Sequence, residues 1–172
     1  MEQDVDMAKM AFLPQTSAVT LTVVVTALAA CQARLDNRPS AQAVQREAGR
    51  RVVGWRGVVA TIAEDDSLRS HVLGQVCAGD AEWLTVARNM FPTSYAHLNE
   101  ELSSAVAAAL LRSPTEVLRR FGSDMCHEPD HLPSACDVSR WSERVRTSLA
   151  GVQDPNVAEV KIKCEQVLRA GL

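Results

Sequence analysis

Between residues 51 and 170 the apolar side chains recur at three- and four-residue intervals. No stretch alternates apolar with polar long enough to make a strand, so this chain can bury a core only as helices. The clearest segment runs from Leu98 to Leu111, with Leu98, Leu102, Val106, Ala109 and Leu110 on one face. Trp83, Leu84, Ala87 and Met90 make a second stripe behind Asp80, a good N-cap residue. Asp65-Asp66-Ser67 closes one helix and can cap the next, Leu68 to Cys77. The spacing also predicts a helix holding Val52, Val53, Trp55, Val58, Val59 and Ile62, loosened by Gly54 and Gly57. Ser113-Pro114-Thr115-Glu116 reads as a capping box with proline in the first turn, followed by Val117, Leu118 and Phe121 and stopped by Gly122. Residues 123–137 hold two prolines and two cysteines and read as a loop. Ser139–Val152 carries Trp141, Val145 and Leu149, and Asp154-Pro155 opens a last helix with Val157, Val160, Cys164, Val167 and Leu168 on one face. The expected fold is all-α, a compact bundle of about six short helices over residues 51–172.

Upstream of the bundle the chain changes character. Ala18 to Ala30 carries no charge, yet it is shorter than the roughly 20 apolar residues that span a bilayer. It suits the apolar region of an export signal, and Pro14-Gln15-Thr16-Ser17 stops it from extending backwards. Leu28-Ala29-Ala30-Cys31 then matches the bacterial lipobox, so residues 1–30 are expected to be a cleaved lipoprotein signal and Cys31 the lipidated N-terminus. Glu2, Asp4 and Asp6 are unusual at the front of such a signal; translation from Met7, with Lys9 near the start, would give the customary basic end. Gln32 rather than Asp follows the cysteine, which implies the outer membrane facing the periplasm where the host has two membranes. Residues 31–50 are polar and contain Pro39; they read as a tether able to turn helical after Ser40.

Composition narrows the functions. Losing the leader takes away one basic and three acidic residues, which moves the net charge from −3 to −1. A near-neutral domain lacks the field that gathers nucleic acid or an anionic membrane surface. The clusters Arg50-Arg51 and Arg119-Arg120 are short and have no interleaved aromatics, so no nucleic-acid partner is expected. Aromatics are only 4% of the chain, leaving Leu, Val, Ala and Met to fill the core. Trp55, Trp83 and Trp141 sit at apolar helical positions and are expected inside it.

With Cys31 acylated, Cys77, Cys126, Cys136 and Cys164 remain. An even count in an oxidising compartment favours two structural disulfides, with three pairings open. The competing chemistry lies in Cys126-His127-Glu128-Pro129-Asp130-His131 and Cys136, where thiolate and imidazole could hold a soft metal through His127 and His131. The spacing reproduces no standard pair of ligand motifs. Neither Asp65-Asp66 nor Glu100-Glu101 makes a catalytic pair, since helical neighbours diverge by about 100°. The first pair reads as a helix boundary and the second as a solvated face. No nucleophile elbow, P-loop or zinc-protease motif occurs, and no catalytic residue or cofactor is expected.

Gly79-Asp80-Ala81-Glu82-Trp83-Leu84, the Leu98–Leu111 helix and Ser113-Pro114-Thr115-Glu116-Val117-Leu118 together resemble a group of small exported proteobacterial proteins without an assigned activity. Those share a Gly-Asp-x-x-Trp helix, a small-Pro-x-x-Val-Leu turn, a mid-half cysteine and a cysteine in the final helix. The likeness spans about residues 68–170, although this chain has Tyr95-Ala96 where the group often has Asp-Ala. It implies export and fold, and no catalytic residue. Cys126 and Cys164 fall at the group's two positions, so the likeness favours Cys126–Cys164, with Cys77–Cys136 as the second bridge. The functional expectation is a non-catalytic envelope lipoprotein, membrane-held by its anchor and acting on an envelope protein as inhibitor, immunity protein or assembly factor. The alternatives are a metal or redox lipoprotein using the Cys126–Cys136 loop, and an envelope enzyme whose site lacks a motif.

Overall fold

The computed structural model describes residues 38–50, 52–129 and 140–170. The chain divides between Arg38 and Pro39, and the described helices belong to the second unit, Pro39–Leu172. The leader, Cys31, His131 and Cys136 lie outside the described residues.

Among the described residues eight α-helices follow one another: α1 (Ala41–Arg50), α2 (Gly54–Glu64), α3 (Asp66–Cys77), α4 (Ala81–Met90), α5 (Ala96–Ala109), α6 (Pro114–Phe121), α7 (Trp141–Ala150) and α8 (Ala158–Ala170). Short 3-10 turns at Phe91–Thr93 and Pro155–Val157 lead into α5 and α8. There is no strand among the described residues. The all-α expectation holds, with more helices than the six anticipated. One addition is α1, formed by residues assigned to the tether: Ala41, Val44 and Ala48 recur at helical spacing and are buried. A segment with a buried stripe is part of the core.

The boundaries obey local chemistry. The Asp65 carboxylate accepts from the amides of Ser67 and Leu68, and that of Asp80 from Glu82 and Trp83, each filling donors that a helix start leaves unpaired. Asp154 does the same for Asn156 ahead of α8. The capping box at Ser113 does not form. The Ser113 hydroxyl makes no cap hydrogen bond, and Glu116 turns instead to Arg119 and Arg120. The guanidiniums offer charge-assisted bonds to a carboxylate that the box would spend on one neutral amide.

α5 lies at the centre. Ala105, Ala107, Ala108 and Ala109 are buried and present little bulk, which lets α3 pack closely through Val72, Leu73 and Val76. Trp141 of α7 is fully enclosed, and its indole N–H donates to the Ala107 carbonyl at 3.0 Å, so burial leaves no polar atom unpaired. Trp83 is also buried, while Trp55 is partly buried against the core. The α3–α4 and α5–α6 junctions meet: a Cβ on Gly79, which has φ +76°, would stand 2.6 Å from the Ser113 hydroxyl and 2.8 Å from its Cβ. Arg112 closes this contact by donating to the Cys77 carbonyl at 2.9 Å. Gly79 and Ser113 are therefore facing parts of a single joint.

Candidate functional site

Cys126 and Cys164 form a disulfide with Cα atoms 5.3 Å apart, joining the segment after α6 to the middle of α8. Both sulfurs are buried. Cys77 is likewise disulfide-bonded, and Cys136, its expected partner, lies outside the described residues. The bridge changes the metal reading at its first ligand, because a sulfur shared with Cys164 is no thiolate donor. His127 is exposed, and its Nδ1 lies 2.8 Å from the Asp124 carbonyl, a local turn contact. No three His, Cys, Asp or Glu side chains gather for a metal among the described residues.

Beside the bridge, α4, α6, the segment after Gly122 and α8 enclose an open groove of about 460 Å³. Phe91, Phe121, Met125 and Val160 give it an apolar part, and Arg88, Arg119, Arg120 and Asp124 line it as well, three cations against one carboxylate. Phe91 and Phe121 meet edge to face with ring centroids 5.7 Å apart, which joins the 3-10 turn after α4 to α6. Gly122 has φ +71°, the left-handed region where a side chain would be strained, and it turns the chain from α6 toward Cys126.

The arginines differ. Arg119 donates to Asp154 at 2.7 Å and pairs with Glu116; Arg120 pairs with Glu116 and donates to Thr85 Oγ1 at 3.1 Å. The Arg120 hydrogen bond, joined by the positive charge of both arginines, holds the Glu116 carboxyl below its usual range. The Asn156 amide and then Arg119 hold Asp154 low as well. These pairs fasten α6 to α4 and to the start of α8. Arg88 is exposed on α4 and makes no ion pair among the described residues. Chemically, such a groove can receive an apolar side chain flanked by a carboxylate. The sequence hinted at it only through Arg119-Arg120, which reads as an idle basic pair until Glu116 and Asp154 are seen to divide the two arginines.

Other polar residues lie elsewhere. Glu101, expected on a solvated face, has a mostly covered side chain 3.4 Å from Arg69 Nε and 3.5 Å from His97 Nε2; Arg69 also reaches Asp66 at 2.6 Å. Glu100 is exposed. These groups tie α3 to α5. No helix among the described residues is long and apolar enough to cross a membrane. No family model, characterised protein or solved structure matches the chain.

Proposed function

We propose that this protein is an envelope lipoprotein, anchored through Cys31, whose helical domain binds an acidic amphipathic segment of another envelope protein in the groove beside Cys126–Cys164. The observation that carries the binding reading is the pairing of an apolar aromatic and methionine lining with Arg88 in the same groove. Buried aromatic and arginine contacts concentrate binding energy, and methionine adapts to varied apolar partners. The lipobox-like Leu28-Ala29-Ala30-Cys31 supports the anchor, as do a disulfide-bonded Cys77 and the Cys126–Cys164 bridge, which suit an oxidising compartment. The likeness to small exported proteobacterial proteins belongs to the same reading, and Cys77–Cys136 is its second bridge.

The test is chemical crosslinking of the full chain in intact envelopes, followed by capture. A specific adduct should disappear with Arg88→Glu and persist with Arg169→Glu, a charge reversal of equal size on α8. Equal adducts from both variants would end the groove reading. Acyl labelling that is the same for wild type and Cys31→Ala would end the anchor reading separately.

A further inference from the structure

The helix expected to carry Val52 and Val53 on its apolar stripe begins later, at Gly54. Both valines occupy the turn after α1, where Val52 is fully exposed and Val53 is 60% exposed. Gly54 has φ +54°, which fixes the direction in which the chain leaves this turn. Trp55, next along, is partly buried against the core. Arg46 and Arg50 are exposed on the last turns of α1 and Arg56 on the first turn of α2. None of these three arginines has an ion pair among the described residues, and Glu47 is the single acid between residues 41 and 57.

Val52 and Val53 are the one sequence-adjacent pair among the large exposed apolar side chains of the described residues, the others being scattered singly. Exposed arginines on the two helix ends that flank them name the occupant: an apolar interior beneath a negatively charged boundary. A protein pocket seldom combines the two over so small a tip, whereas a bilayer with anionic headgroups always does. We propose that Val52 and Val53 enter the headgroup boundary of an anionic bilayer while Arg46, Arg50 and Arg56 rest on its phosphates.

The inference rests on the anchor for proximity but not for its chemistry. Seven residues separate Cys31 from Pro39, eight Cα-to-Cα steps and a reach of at most roughly 28 Å. α1 has ten residues and is about 15 Å long, so an anchored domain can lay its far end on the membrane. The contact would orient the domain, converting a tether into a fixed pose at little cost in affinity.

The chain's three tryptophans make the test direct, because Trp83 and Trp141 are buried and Trp55 adjoins the tip. The full chain is incorporated into vesicles of phosphatidylethanolamine with brominated phosphatidylglycerol, and tryptophan emission is read. Quenching should occur, vanish in Trp55→Phe, and fall strongly in the Val52→Asp, Val53→Asp double variant. Arg50→Glu with Arg56→Glu should weaken it by roughly fivefold per arginine, and vesicles with brominated phosphatidylcholine in place of the anionic lipid should quench little. Absent quenching, or quenching indifferent to all four substitutions, overturns the proposal. So does a photo-crosslinker at position 52 that yields adducts with protein and none with phospholipid in living cells. The mass of the same protein reports acylation, so a failed anchor and a failed contact give different results.

Discussion

Of the three glycines with positive φ among the described residues, Gly79 and Gly54 each shape the connection between two helices, and they do opposite things. At the α3–α4 junction Gly79 is pressed against Ser113, so that even a methyl group would overlap its side chain. At the α1–α2 turn the nearest atom to a Cβ on Gly54 is the Ala48 carbonyl oxygen, 3.8 Å away, in ordinary contact. One connection is closed by another connection and has Arg112 bonded across it. The other holds two valines out in solvent. A junction whose glycine is needed for both conformation and space belongs to the fold. A junction whose glycine is needed for conformation alone, with apolar residues turned outward, is available for contact with something else.

The largest effect should come from the disulfide, which closes the chain as tightly as Ser113 closes Gly79. Cys126–Cys164 closes a separation of 38 residues, and losing that constraint costs about 4 kcal/mol by chain entropy. Cys164→Ala should therefore lower the melting temperature by an amount on the order of 10–15 °C and expose one alkylatable thiol at Cys126. A shift of a degree or two would show that the helices around α8 need no staple. Next come the glycines, each replaced by alanine. Gly54→Ala should cost about 1 kcal/mol, the strain of a left-handed residue. Gly79→Ala should cost about 3 kcal/mol, because the overlap with Ser113 is added. Adding Ser113→Gly should recover much of the difference at Gly79 and nothing at Gly54, in urea melts of the double-mutant cycle. Equal costs for the two glycines would erase the distinction between the junctions.

The contrast also separates what the sequence made legible from what it hid. Periodicity and caps are local, so α3 to α6, the Asp65 and Asp80 caps and the stop at Gly122 were all readable in the residues themselves. The Val52–Ile62 stripe misleads at its front because two valines continue a helical spacing whether or not they face the core. Only the positive φ of Gly54 reveals that the helix begins there. The same holds for α1, where Ala41, Val44 and Ala48 are too small to announce a buried face in a polar segment. Long-range matters were legible only in part. The likeness to exported proteins favoured Cys126–Cys164, but the groove needs Phe91, Phe121 and Val160 from separate helices, and no spacing brings them together. Glu116 was assigned to a backbone amide when two arginines one turn ahead were the stronger partners.

That pairing gives the contacts of α6 with α4 and with the start of α8 an acid-sensitive component. Glu116 has its folded pKa lowered from 4.5, first by the hydrogen bond from Arg120. A lowered carboxylate contributes stability that is complete above its unfolded value and is lost as pH falls through the folded value. Glu116→Gln should thus destabilise the domain at neutral pH by about 0.5–1 kcal/mol, the discounted worth of a partly exposed network. The gap between wild type and variant should close as the pH is taken well below 4.5. A gap that stays constant to low pH would mean that Glu116 acts through packing rather than charge.

The smallest effect on stability is expected where the largest effect on membrane contact is expected. Val52→Asp with Val53→Asp removes two side chains that bury little apolar area, so folding loses almost no hydrophobic stabilisation. Val53 stands at the N-cap of α2 and makes no side-chain hydrogen bond there, with φ −87° and ψ 0°. Its backbone is helical rather than extended, so an aspartate would gain less than a well-formed cap. It would still place a negative charge at the positive end of a helix dipole, worth about 0.3–1 kcal/mol. The double variant should therefore melt at the wild-type temperature or slightly above it, as read by circular dichroism at 222 nm, the usual helix band. Valines that stability does not require, at a turn where acids would serve the fold as well, need another reason to be apolar. Should the double variant lose more than about 1 kcal/mol, the upper range for exposed substitutions, the turn is part of the core and the two junctions are alike after all.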